Sequence, residues 1–80
     1  MSARVLVVDD DPQLCELLAV DLPRYGIACE TATSAPSALE RLERDDFDVV
    51  LTDLNMPGFD GIALCARLSE LRPDIPVVVM

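Results

Sequence analysis

Val5-Leu6-Val7-Val8-Asp9-Asp10-Asp11-Pro12 is the stretch on which the fold turns. An unbroken apolar run rich in valine is what a strand buried on both faces of a parallel sheet requires. The run stops abruptly at carboxylates. Asp11 is a good helix N-cap, and Pro12 suits the first helical position, where its missing N–H costs nothing. One short stretch thus predicts a buried strand, a negatively charged turn and the start of a helix. Beyond it, Leu14, Leu17, Leu18, Leu22 and Tyr25 mark one helical face, and Gly26 supplies the stop.

The same alternation repeats along the chain. Ile27 to Ala32 is a weaker strand. Ser34 caps a second helix with Pro36 in its first turn and Ala38, Leu39 and Leu42 on its apolar side, while Glu40 and Arg44 are spaced for an exposed i,i+4 pair. Val49-Val50-Leu51, within Asp48 to Asp53, forms a third strand. A loop with Pro57 and Gly58 leads to a third helix from about Gly61 to Arg72, its face marked by Ile62, Cys65, Leu68 and Leu71. Pro73 and Pro76 punctuate the next turn, and Val77-Val78-Val79-Met80 begins a fourth strand. The order β-α-β-α-β-α-β predicts an α/β fold, a doubly wound parallel sheet with right-handed crossovers.

Composition narrows the function. Eighty residues make at most one small domain with a thin margin of stability. The 51% hydrophobic content describes a globular chain, and the net charge of −9 argues against direct contact with nucleic acid or an anionic membrane. No apolar run approaches the roughly 20 residues of a membrane span, and the carboxylates arrive too early for a signal peptide. Every basic residue is an arginine, and lysine and histidine are absent. Cys15, Cys29 and Cys65 have no metal-ligand spacing and read as small apolar residues in a reducing cytoplasm.

The aspartates carry the chemistry. Ligands of open parallel sheets bind beyond the carboxyl ends of the strands. Asp9 and Asp10 close the first strand and Asp53 the third, so if these strands are neighbours three carboxylates share one crevice. Two like charges about 4 Å apart repel by roughly 4 kcal/mol at an effective dielectric of 20, which a proton or a cation must offset. Mg²⁺ suits such a site because it takes a few carboxylate oxygens and keeps several waters. The plainer reading, strand-end aspartates as helix caps, fits Asp11 well and on composition alone stands level with a metal site for the other three. A cation beside a free carboxylate suggests phosphoryl chemistry.

Val7-Val8-Asp9-Asp10-Asp11 and Leu51-Thr52-Asp53-Leu54-Asn55-Met56-Pro57-Gly58-Phe59-Asp60-Gly61 resemble the two N-terminal signatures of response regulator receiver domains from bacterial two-component signalling. The similarity runs the length of the chain, and the second signature is the specific one. The resemblance implies a flavodoxin-like sheet of order 2-1-3-4-5, of which residues 1–80 would be an incomplete receiver domain without the fourth helix, fifth strand and fifth helix. It implies Asp53 as phosphoacceptor, Asp10 as a direct Mg²⁺ ligand, Asp9 as the acidic neighbour that helps hold the ion, and Asn55 as a ligand through its main-chain carbonyl. Met56, Pro57 and Gly61 match positions that shape or support the loop after the acceptor.

Two further family positions, a Ser or Thr after the fourth strand and a lysine after the fifth, fall beyond Met80, and no arginine is predicted at a strand end on the active side. The implied partner is a histidine kinase or a histidine phosphotransfer protein, and the implied role is a cytoplasmic switch, not a turnover enzyme. The exposed fourth strand is expected to favour self-association or strand exchange. Two other readings compete: a phosphorylation-independent interaction module or inert fragment, and an aspartate-nucleophile phosphatase of the haloacid-dehalogenase kind. The last wants an acid two residues after its nucleophile, where this chain has Asn55.

Overall fold

The computed structural model describes residues 3–53 and 61–79. Its elements run β1 (Ala3–Val8), α1 (Pro12–Asp21), a 3₁₀ turn (Leu22–Tyr25), β2 (Ile27–Ala32), α2 (Ala35–Arg44), β3 (Val49–Thr52), α3 (Gly61–Leu71) and β4 (Val77–Val79). The four strands form one parallel sheet of order β2-β1-β3-β4. This is the predicted class, an α/β fold whose four strands follow the expected order 2-1-3-4. β1 lies between β2 and β3, which explains its continuous apolar run: Leu6, Val7 and Val8 are fully buried.

Local signals set the helix starts. The Asp11 side chain accepts from the Gln13 N–H at 3.0 Å, with Pro12 opening α1. Ser34 accepts from the Ser37 N–H at 3.3 Å, and α2 likewise carries a proline in its first turn. Each cap contributes on the order of 1 kcal/mol.

The end of α1 departs from the expectation. The helix closes at Asp21 and tightens into a 3₁₀ turn, because Pro23 has no N–H to continue the α ladder. Gly26, at φ 77°, then donates its N–H to Pro23 and Leu22. Only a residue without a Cβ enters that left-handed region without strain.

Most of the core lies on one side of the sheet. Leu6, Val8 and Val50 meet Ala38 and Leu42 of α2, Leu64 and Leu68 of α3, and Phe47 and Ile75 of the connections. The other side, where register places Val5, Val7, Val49, Leu51 and Val78, is covered less completely. There Cys15 is buried, but Leu17 is 64% exposed, Val20 63% and Tyr25 73%. The apolar face predicted for α1 is therefore covered only in part, since α1 overlies the β1–β2 half and the described residues place no second helix beside it.

Arginine pairing also differs from the prediction. No Glu40–Arg44 ion pair forms among the described residues; Glu30 of β2 instead bridges Arg41 and Arg4, both at 2.6 Å. The Arg4 guanidinium lies over the Phe47 ring, 5.0 Å from its centroid. Arg72 donates to the Leu42 and Asp45 carbonyls at the end of α2 and pairs with Asp46 and Asp74. The Arg72 guanidinium holds the Asp74 carboxyl below its usual pKa. Arg4 opens β1, and Asp46 and Asp74 precede β3 and β4, so these contacts fasten the amino ends of the strands, opposite the aspartates.

Candidate functional site

Parallel pairing makes the site. β1 and β3 are neighbours in register, Val8 opposite Thr52, so both chains leave the sheet at the same edge. The Asp53 N–H donates to the Val8 carbonyl at 3.1 Å, carrying the ladder one residue past β3. Thr52, whose side chain is fully buried, holds the preceding position, and its hydroxyl lies 3.4 Å from the Asp53 carbonyl. Across the sheet, the Asp9 N–H donates to the Ala32 carbonyl of β2 at 3.1 Å. Asp9 and Asp53 are thereby fixed to backbone, not to flexible side chains.

Asp9, Asp10 and Asp53 each present a carboxylate oxygen, and these lie within 4.8 Å of one another. Asp9 is buried, Asp53 half-buried and Asp10 exposed. Asp9 Oδ1 accepts the Asp11 N–H at 2.9 Å, an Asx turn that sends the chain from strand into helix. Partial desolvation raises the Asp10 carboxyl above its ordinary pKa, helped by its hydrogen bond to Asp9 and the nearby charge of Asp9 and Asp53. The ion pairs made by Arg4, Arg41 and Arg72 lie at the opposite, amino ends of the strands.

Of the residues singled out in the sequence, the structure brings together the three aspartates. Asn55, Met56 and Pro57 lie outside the described residues, and Gly61 opens α3. Cys15, read as a filler, is buried as expected, yet its thiol donates to the Asp9 carbonyl at 3.5 Å. Burial, with the charge of Asp9 and Asp11, pushes that thiol's pKa up. Cys29 and Cys65 are only partly buried, and all three are free thiols. The Asx turn was latent in the pattern of Asp9 two residues before Asp11; the Cys15 contact had no sequence signal.

The family model described as "Response regulator receiver domain" matches residues 5–80. The chain is 38% identical over 78 residues to the transcriptional regulatory protein GlrR of Escherichia coli K12, covering 98% of this chain and 18% of that protein. It is 43% identical over 74 residues to the sensor histidine kinase RcsC of Salmonella typhimurium, covering 92% of this chain and 8% of that one. The chain therefore spans less than a fifth of either relative. The response regulator TrrA of Thermotoga maritima, solved in complex with Mg²⁺ and BeF, superimposes with a TM-score of 0.87 at 32% identity, over 99% of this chain and 68% of that one. A CheY-like receiver domain protein of Methanospirillum hungatei gives 0.91 at 28% identity, over 99% and 63%. The sheet order, the acidic trio at its carboxyl edge and these matches lead to one conclusion: the chain belongs to the response regulator receiver domain family.

Proposed function

We propose that this receiver domain accepts a phosphoryl group on Asp53, with Asp9, Asp10, Asp53 and the Asn55 main-chain carbonyl as ligands of a Mg²⁺ ion. The observation that carries this reading is the convergence of three carboxylates within 4.8 Å at one sheet edge. The donor set suits the ion: these are hard oxygens, and an exposed Asp10 leaves room for retained waters. When bound, Mg²⁺ would screen the charge of an incoming phosphate. The Thermotoga relative, solved with Mg²⁺, supports the choice of metal.

The residues divide the work. An Asp53 oxygen attacks phosphorus in line; an O–P bond forms as the N–P bond of a donor phosphohistidine breaks, and the electron pair leaves with the imidazole. Asp9, buried and bonded through Oδ1, holds the turn. Asp10 projects its carboxylate from that turn into solvent. The partner is a histidine kinase or histidine phosphotransfer protein, consistent with a sensor kinase among the relatives, and the setting is the bacterial cytoplasm. The domain acts as a switch, transferring once and hydrolysing slowly. The test is uptake of a phosphoryl group from acetyl phosphate, read by intact mass: uptake that needs Mg²⁺ supports the reading, and none at any metal concentration defeats it.

Metal binding has a thermodynamic signature of its own. A ligand that binds only the folded state at about 100 times its Kd stabilises it by about 2.7 kcal/mol. Mg²⁺ is therefore expected to raise the melting temperature of the wild type. Asp10→Asn should melt higher than wild type without metal, because one repelling charge is gone, and should gain little when Mg²⁺ is added. A gain equal to the wild type's would remove Asp10 from the ligand set.

A self-association reading stands beside this one. β4 is the last strand of the described sheet, and its Val78 and Val79 are 47% and 45% exposed. An apolar edge strand without charge is a template for pairing. These eighty residues are expected to sediment as a concentration-dependent mixture of monomer and larger species. Val79→Lys should return them to monomer. A wild-type monomer throughout the concentration range counts against the idea.

A further inference from the structure

Asp9 is anchored at three atoms. Its N–H is held by β2 at 3.1 Å, its Oδ1 by the Asp11 N–H at 2.9 Å, and its carbonyl by the Cys15 thiol at 3.5 Å. The first two bonds belong to the sheet and the turn. The third comes from a side chain six residues on, in the first turns of α1. Asp9 is 4% exposed, as is Cys15, so solvent offers its carbonyl little substitute. A buried acceptor that loses its donor is costly and tends to move towards another. Rotation of that peptide would turn the next residue, and the next residue is Asp10.

We propose that Cys15 is a positioning residue, its thiol fixing the Asp9–Asp10 peptide so that both carboxylates converge with the Asp53 carboxylate. The proposal deepens the reading of the trio as a metal site and rests on it for its functional consequence. Cys15 itself touches neither metal nor phosphoryl group. Its effect passes through the backbone, much as outer-shell partners orient metal ligands elsewhere.

Two nearly isosteric substitutions separate positioning from packing. Cys15→Val keeps an apolar branched side chain and removes the donor, whereas Cys15→Thr has the same shape and restores one. Packing alone favours Val over Thr, because a buried hydroxyl must find a partner. Positioning reverses the order. The first measurement, without metal, is hydrogen exchange at the Asp11 amide, which reports the Asx turn: protection should fall in the Val variant and return in the Thr variant. The second is a Mg²⁺ titration followed at the Asp9, Asp10 and Asp53 amides, where Val should bind roughly three- to tenfold more weakly than wild type and Thr within about twofold. Should the Val variant not fold, Cys15→Ala gives the donor-free comparison. Equal exchange protection in wild type, Val and Thr would overturn the proposal, as would Mg²⁺ affinity that follows side-chain volume. A wild type that ignores Mg²⁺ would sink the metal reading instead, and the exchange experiment would still decide the role of Cys15.

Discussion

Asp53→Asn is expected to take up no phosphoryl group from acetyl phosphate under conditions in which the wild-type chain gains one. The substitution changes little else. Asparagine has nearly the shape of aspartate, and the main-chain bond from residue 53 to the Val8 carbonyl does not depend on the side chain. What is lost is the anionic oxygen that forms the O–P bond as the acyl phosphate's own O–P bond breaks and acetate leaves with the electron pair. Asp9 is a poor substitute because it is buried and already holds the Asp11 amide. Asp10 is exposed, so residual labelling, if seen, should be sought there by peptide mapping. Equal labelling of wild type and Asp53→Asn would move the acceptor to another residue.

What could be read beforehand was whatever the chain writes locally. The caps at Asp11 and Ser34, the prolines after them and the buried run of β1 all act within a few residues, and the structure has each in place. Asp9, Asp10 and Asp53 were legible as strand-end carboxylates, but their convergence depended on β1 and β3 being neighbours, which the family resemblance implied and no residue pattern stated until the pairing was seen. Longer-range features were silent. Arg72 reaches carbonyls 27 and 30 residues away, and Glu30 collects arginines from two other elements. The face of α1 was read correctly as apolar, but its extent of cover was not written in it, since periodicity reports what a helix can cover and not what covers it.

Leu42→Ala is expected to leave the chain largely unfolded at 25 °C. Leu42 is 1% exposed and sits where α2 meets the sheet, in a cluster with Leu6, Val50, Leu64, Leu68 and Ile75. Truncating a leucine in such a cluster costs about 3–5 kcal/mol, the larger values where the surroundings cannot collapse into the space. Against this stands a total stability of about 4–12 kcal/mol for a chain of this length. The lower end applies here, because among the described residues one side of the sheet is covered by α1 alone and leaves Leu17, Val20 and Val78 exposed. A loss of that size therefore consumes most of the margin. Circular dichroism and urea titration read the result directly. Leu17→Ala is the matched control: the same deletion at a side chain 64% exposed should shift stability by no more than about 0.5 kcal/mol. If the two variants melt alike, the core does not lie between the sheet and the α2–α3 layer, and the stability of the domain has another source.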